Sequence, residues 1–306
     1  MEDTAAGGGL FAGIWWVLQN FAMAFYNLGY AITHPASWLD WSNKESVMRF
    51  VYYGGSVELF FVAFTFFLVI FAVGVWKREF LWKVVIGLEF MHNSIGRFFA
   101  WAGLLMVLQQ VVIVFIQRIF ARPDIVIGFG IPVGFDVSWW GEELKLYNAM
   151  VVALCLTYTF VQGGHVRVDL VYSAISFRAK RMIDMIGSMI FMIPMAVLIW
   201  LYTWFFLWRG LIVPNPSASN RLEQLVAKAR IMKWNVETIG PSPNGFNAYF
   251  LFKVLMVVMI GLIFIQAWTF FYRSYLEWVE GPESEGKYAD NDVLEAGEEP
   301  YDHAEF

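Results

Sequence analysis

The sequence predicts an all-α integral membrane protein with about six transmembrane helices and an interfacial amphipathic helix. Of its 306 residues, 59% are hydrophobic and only 15% are charged, which is more apolar surface than a soluble core of this length can bury. The mean hydropathy is +0.55. The apolar residues also gather in stretches of about 20 residues, the length that a helix needs to cross the hydrocarbon core.

Six such stretches follow one another along the chain. They cover residues 10–32, 57–76, 98–120, 144–161, 183–208 and 248–272. We expect the first to be retained rather than cleaved as a signal peptide, because Glu2 and Asp3 precede it where lysines are usual.

Lysines and arginines in short connections predict the orientation. They flank the second and third spans and fill the connection between the fourth and fifth, so both connections and both termini are expected in the cytoplasm. The basic residues concerned are Lys77, Arg78, Lys83, Arg97, Arg167, Arg178, Lys180 and Arg181. The connection between the last two spans is also basic although this orientation places it outside, but the two other connections outweigh it.

Two further segments have helical periodicity but are too short to span. Residues 80–96 predict a helix lying in the interface plane, with a polar stripe of Glu89, Asn93 and Arg97 at i, i+4 and i+8. We interpret this stripe as the wet face of the helix, with a binding site as the alternative. Residues 221–234 predict a second such helix, with Asn220 as its cap.

The C-terminal segment, residues 274–306, contains eleven acidic residues and one lysine. Such a run of like charge predicts a solvated, disordered cytoplasmic arm.

The inventory of reactive side chains argues against an enzyme, and we expect no cofactor. The four histidines lie in loops, interfacial segments or the tail, where they cannot pair across helices as haem ligands. His165 and Asp169 are the closest pair of metal-ligand types, and two residues at this spacing are more often structural. The span interiors offer the polar Gln109, Gln110, Thr157 and Gln266 and the helix-breaking Pro194, with no central carboxylate or arginine. They are expected to bridge or kink helices rather than to form a substrate path.

Four motifs in order carry a family resemblance. The third span begins with residues 95–101, which include Trp101, and it ends with Arg118, Ile119 and Phe120. The next span is introduced by residues 138–144, with Trp139, Glu142 and Glu143, and it is followed by residues 165–169, with His165, Arg167 and Asp169. Over about residues 80–272 the sequence resembles the small membrane subunit, DctQ type, of tripartite ATP-independent periplasmic (TRAP) transporters.

The resemblance implies four spans with an interfacial helix in the bacterial inner membrane, and a bracing role without enzyme activity. The implied partners are a large membrane subunit that imports an organic acid with sodium, a soluble periplasmic substrate-binding protein and membrane lipids. The domains expected are an N-terminal extension with two spans at 1–79, the DctQ-like domain at 80–273 with an enlarged 209–247 loop, and the tail at 274–306.

The motif residues are the candidate subunit interface. They are His165, Arg167, Asp169, Arg118, Trp139, Glu142, Glu143, Glu89, Arg97 and Trp101. Arg167 and Asp169 are expected to fix the exit angle of their loop, or to form a weak surface salt bridge. The two glutamates next to Trp139 are expected to dock a basic patch on the larger subunit, although a membrane-interface belt explains the tryptophan equally well. Alternatives for the whole chain are a scaffold subunit recruited into a respiratory or photosynthetic complex, and a self-contained channel or carrier.

Overall fold

The predicted fold class is confirmed. The computed structural model describes residues 10–127, 133–163, 175–212, 221, 224, 227, 246, 248–290 and 292, and these are nearly all helical. Within these ranges, five helical rods are long and apolar enough to cross a membrane. They are Val57–Trp76, Arg78–Ile119, Val137–Val161, Phe177–Ile212 and Phe250–Glu280.

The first helix, α1 (Leu10–Thr33), forms where the first span was predicted but is not among these five. Its sequence carries the amides Gln19, Asn20 and Asn27, which make it less apolar than the other rods. It packs against the fourth helix, where the rings of Phe21 and Phe61 lie 5.1 Å apart.

Two short helices that were not predicted follow, α2 (Ala36–Leu39) and α3 (Lys44–Tyr53). The Asn43 side chain caps α3 by accepting a hydrogen bond from the Glu45 N–H. Buried residues of α3 form a hydrophobic core with residues of the last two helices of the chain. This core consists of Val47, Met48, Val51, Leu207, Leu211, Ile212 and Val257.

Helix α4 (Val57–Trp76) matches the second predicted span, and Ser56 caps it by accepting from the Leu59 N–H. Helix α5 (Arg78–Val114) continues through a π-helical turn, Phe115–Ile119, as one rod of 42 residues. The predicted helix at 80–96 is present, but it is continuous with the third span, since no proline or cap interrupts the rod. At 1.5 Å per residue the rod is roughly 63 Å long, about twice the hydrocarbon thickness, so only about half of its residues can lie within the hydrocarbon core.

A short antiparallel hairpin follows, with strands β1 (Asp124–Ile127) and β2 (Val133–Asp136). The Asp136 side chain then caps helix α6 (Val137–Val161) by accepting from the Ser138 N–H at 2.8 Å. Helix α6 begins earlier than the fourth predicted span because this cap lies eight residues before Leu144.

Helix α7 (Phe177–Gly187), a π-helical segment (Ser188–Met192) and helix α8 (Ile193–Ile212) form the next rod. The π segment lies just before Pro194, whose missing N–H and bulky ring require such a local adjustment. Arg178, Lys180 and Arg181, which were predicted in a loop, lie instead in the first turns of α7.

Helix α9 (Phe250–Glu280) is the central helix and contacts α5, α6, α7 and α8. Trp268, Tyr272 and Leu276 are fully buried in the main core. The tail was expected to start at 274 as a solvated arm, but Leu276 and Glu277 lie inside the helix and are buried. After a 3₁₀ turn at Pro282–Ser284, the chain folds back against α5. The remaining tail positions, 291 and 293–306, lie outside the described residues.

Most of the predicted 221–234 helix also lies outside the described residues. Gln224 and Ala227 are helical. The Arg221 N–H donates to Gln224 Oε1 at 3.2 Å, which is the back-bond of a capping box, one residue later than the predicted pair of Asn220 and Glu223.

Candidate functional site

Charged side chains from α5, α7 and α9 meet the C-terminal return segment at one end of the bundle. We call this cluster the polar junction, and it consists of Glu89, Asn93, Arg97, Arg181, Arg273, Glu277, Asp290 and Asp292. At its centre, Arg273 Nε and Nη2 donate to the two oxygens of Glu89, each at 2.5 Å. Glu89 is only 5% exposed, so this bidentate pair joins α5 to α9 through a desolvated contact.

Glu277 extends the junction towards α7. Its Oε2 lies 2.7 Å from Arg181 Nε, and its Oε1 lies 3.4 Å from Arg273 Nη1. Arg181 also donates through Nη2 to Glu285 Oε1 at 2.7 Å. Glu277 is 2% exposed, and an unpaired charge at a buried position is costly. The two arginines therefore stabilise the buried carboxylate of Glu277.

The return segment, residues 281–290 and 292, is held across α5 and α6 by side-chain bonds. Arg97 donates from Nη1 to Asp290 Oδ2 at 3.0 Å and from Nε to Asp292 Oδ1 at 2.9 Å. Gln162 donates to the Asp290 carbonyl at 3.0 Å and accepts from the Asp292 N–H at 2.9 Å. The Tyr158 hydroxyl also donates to Asp292. The segment therefore fastens the end of α6 to α5.

Hydrogen bonds from Arg97 and then Asn93 lower the pKa of Asp290 below its ordinary value of 3.8. A carboxylate with a lowered folded-state pKa stabilises the fold fully above its ordinary value, and this contribution is lost as the pH falls through the lowered pKa. The contact between the return segment and α5 is thus fully charged at neutral pH and weakens only in acid.

The interpretation of the stripe as a wet helix face was therefore wrong for Glu89 and Asn93, whereas the Arg97 side chain is 38% exposed. Glu89 and Asn93 are 5% and 0% exposed, and Asn93 donates to the Asp290 carbonyl at 2.8 Å. The partners of the stripe are distant in sequence, at 69 positions for Gln162 and more than 180 for Arg273 and Asp290, so local periodicity alone does not indicate which way the stripe faces.

At the opposite end of the bundle, the predicted docking residues make contacts within the chain. Glu142 Oε2 accepts from the Phe246 N–H at 2.7 Å, and the Trp139 ring lies 5.2 Å from the Phe246 ring. Glu143 accepts from Gln109 Nε2 at 3.1 Å, which confirms that this amide bridges neighbouring helices. Their role in binding a larger subunit remains a prediction.

The other candidate residues are not brought together with these. Arg118 is exposed in the π-helical turn after α5, and Trp101 is 65% exposed on the outer face of α5. His165, Arg167 and Asp169 lie outside the described residues. Of the ten candidates, the structure places Glu89 and Arg97 in the polar junction and Trp139, Glu142 and Glu143 at the other end.

The sequence did not predict that residues of α7, α9 and the return segment belong to the polar junction. These residues are Arg181, Arg273, Glu277, Asp290 and Asp292. One signal was available, because Arg273 and Glu277 are spaced i, i+4 just after the last apolar stretch. Asp290 gave no such signal within a run of like charges.

No metal site is formed by the part of the chain that the structure describes. His92 is fully buried, and its ring nitrogens face the carbonyl oxygens of Leu88 and Leu262 at 2.8 and 3.3 Å. A neutral imidazole can donate to only one of them. This arrangement is typical of a histidine that links two helices.

Together these features define the class of the protein: an all-α, multi-pass membrane protein whose buried charges are neutralised within the chain. Residues 131–217 match the family model of the tripartite ATP-independent periplasmic transporters, DctQ component. The match covers β2, α6, α7 and α8 but less than a third of the 306 residues.

The match confirms the predicted resemblance to the TRAP small subunit, and this family is a transporter component rather than an enzyme family. Residues 80–130 and 218–272 lie outside the match, so the resemblance there depends on the motifs alone. No curated protein and no solved structure matches the chain.

Proposed function

We propose that the chain is the small permease subunit of a TRAP-type secondary transporter. In this proposal it braces a large membrane subunit that imports an organic acid with sodium, while a soluble periplasmic substrate-binding protein delivers the acid. The observation that carries the proposal is the family match at 131–217, which falls on α6 and the α7–α8 rod.

The polar groups of the spans support a bracing role rather than a conducting one. Gln109 is engaged by the Trp140 carbonyl and Glu143, and Thr157 and Gln266 are 2% and 3% exposed in the packed interior. The charges of the polar junction are gathered at one end of the bundle, where they pair with each other. A self-contained carrier would need polar groups lining a path near the middle of the membrane.

The outer faces of the rods offer apolar surface for another subunit. Phe98 and Trp101 of α5 are 70% and 65% exposed, and Tyr202 of α8 is 79% exposed. Large aromatic side chains of this kind suit a dry contact with a neighbouring membrane protein or with lipid.

The chain is a multi-pass membrane protein, and we propose that it lies in the bacterial inner membrane with the polar junction facing the cytoplasm. This orientation places the C-terminus in the cytoplasm, and a spanning α1 would place the N-terminus there too. Reporter fusions after Asp292 and before Leu10 test the two placements separately.

Purification of the native complex in mild detergent tests the proposed function. A much larger multi-span subunit should co-purify, and the chain alone in liposomes should move no labelled organic acid down a sodium gradient. Co-purification of a respiratory or photosynthetic core would instead establish the recruited scaffold, and flux through the chain alone would establish a carrier.

Two variants refine this test. We expect Trp101→Ala and Arg167→Ala to reduce the amount of co-purified large subunit, because both lie in the region that resembles the family. The matched control is Phe11→Ala, which alters a side chain that is 87% exposed on α1, outside that region. Equal yields for all three variants would remove Trp101 and Arg167 from the interface.

A further inference from the structure

We propose that the corner between α4 and α5 binds the phosphate headgroups of anionic membrane lipids. The corner is an open depression of about 340 Å³ lined by Lys77, Arg78, Glu79, Phe80 and Lys83. Three cations against one carboxylate give it a net charge of +2. Lysine and arginine clusters beside a membrane span are the usual means of holding lipid phosphates.

The position of the corner along the rods places it at headgroup depth. Helix α4 ends at Trp76, which is 85% exposed, and Lys77 and Arg78 follow immediately. Tryptophan next to basic residues at the end of an apolar span is typical of the membrane interface.

The first half of α5 supports the same depth. Ile86 and Phe90 are 37% and 62% exposed, and they share one helix face with Lys83 at spacings of three and four residues. A helix that presents apolar side chains and a lysine on one exposed face is suited to the interface, where the apolar groups enter the acyl region and the ammonium reaches the phosphates.

The protein leaves the cations of the corner unpaired, in contrast to those of the polar junction. Lys77, Arg78 and Lys83 make no ion pair and no side-chain hydrogen bond within the described ranges. Arg97, Arg181 and Arg273, in the junction, are each held by carboxylates. Helix α5 begins at Arg78, and the N-terminus of a helix also favours an anion. Since no carboxylate of the described residues pairs with these cations, we assign the anion to the surrounding lipid.

Native mass spectrometry of the full chain, titrated with cardiolipin, phosphatidylglycerol or phosphatidylcholine, tests the proposal. The two anionic lipids should bind and phosphatidylcholine should not. At about 1 kcal/mol for each cation near a lipid surface, each lysine contributes about fivefold to affinity, so Lys77→Gln/Lys83→Gln should weaken cardiolipin binding about thirtyfold. Arg78→Gln alone should weaken it about fivefold by the same reasoning.

The matched control is Arg122→Gln/Lys145→Gln, which removes the same charge from exposed positions at the other end of the rods and should leave the affinity unchanged. Circular dichroism and elution volume establish that every variant is folded. Unaltered cardiolipin binding by Lys77→Gln/Lys83→Gln, or an equal loss in the control, would overturn the proposal. Displacement of the lipid by excess inorganic phosphate would overturn it too, since it would identify a site for a soluble anion.

Discussion

The ion pair between Glu89 and Arg273 shows that the packing of α5 against α9 depends on each charge having its partner. Both side chains are nearly buried, and they meet in a bidentate contact. Burying such a pair adds little net stability, because desolvation offsets the attraction. Removing one partner is different, since it leaves the other charge buried and unpaired.

We therefore expect Glu89→Gln to destabilise the protein by about 3 kcal/mol, measured as a lowered apparent melting temperature in detergent. The matched control is Glu45→Gln, which removes one partner of the exposed Arg49–Glu45 pair and should leave the melting temperature almost unchanged. A Glu89→Gln protein that melts like the wild type would show that Arg273 is adequately held by Glu277 alone.

Gly96 allows α5 and α6 to approach each other closely. A Cβ atom at this position would lie 2.1 Å from the Cβ of Tyr158, so the two helices would have to separate. We expect Gly96→Ala to cost about 1–3 kcal/mol through overpacking.

Gly87 of the same helix provides the control for Gly96, because a Cβ there would meet nothing within 4 Å. Gly87→Ala should stabilise α5 by up to about 1 kcal/mol through helix propensity. Thermal unfolding of the two variants side by side checks both signs. If both substitutions stabilised the protein, the close approach of the helices would be refuted.

At the scale of elements, the return segment determines how α5 and α6 are joined at the polar junction. Its bonds reach both helices, and the segment ends beside Gln162, next to the connection that carries Arg167 and Asp169. The segment therefore braces the end of α6 from which that connection starts.

We expect Asp290→Asn/Asp292→Asn to release the return segment at neutral pH, because the charges that hold Arg97 are removed. Hydrogen exchange of the amides at 281–290 should become faster, while amides in the middle of α9 remain protected. Glu283→Gln, which changes the segment at a residue with no ion pair among those described, should leave the exchange as it is. Equal protection in the double variant would show that backbone packing, not charge, holds the segment.

For the whole molecule, the N-terminal extension is not a separate unit beside the family-like helices. Helix α3 buries Val47 and Val51 against the end of α8, and Trp204 Nε1 donates to the Val51 carbonyl at 3.0 Å. Helix α4 contributes Phe64 and Phe67 to the core around Trp268. In contrast, α1 packs mainly on α4.

Two truncations should therefore behave differently. Deleting residues 1–34 removes α1 and should change the apparent melting temperature little, whereas deleting residues 1–56 also removes α3 and exposes the apolar core beside Trp204. We expect the shorter protein to aggregate or to melt at a clearly lower temperature in detergent. Similar melting of both truncations would mean that α3 is dispensable to the fold.

The sequence was informative where one dominant force sets the outcome. Apolar stretches of the required length predicted the five membrane rods, because in lipid every backbone group must be satisfied within its own helix. Their ends were predicted less accurately, since α5 begins at Arg78 rather than at 98 and α6 at Val137 rather than at 144. Local patterns were less reliable near the ends of the rods. The helix predicted at 80–96 is continuous with the third span, and the last helix continues to Glu280, beyond the predicted start of the tail at 274. At these places the continuation of a helix depends on what it packs against.

By itself, the sequence determined the class of the protein, its membrane rods and its resemblance to a TRAP small subunit. Only the tertiary structure decided which charges are buried, since Glu89, Arg181 and Arg273 become neighbours through the packing of distant helices. It also showed that the cations at the start of α5 have no ion-pair partner among the residues that the structure describes. The physical reason is that apolar length is a local property of a chain, whereas the partner of a charge is chosen by the fold.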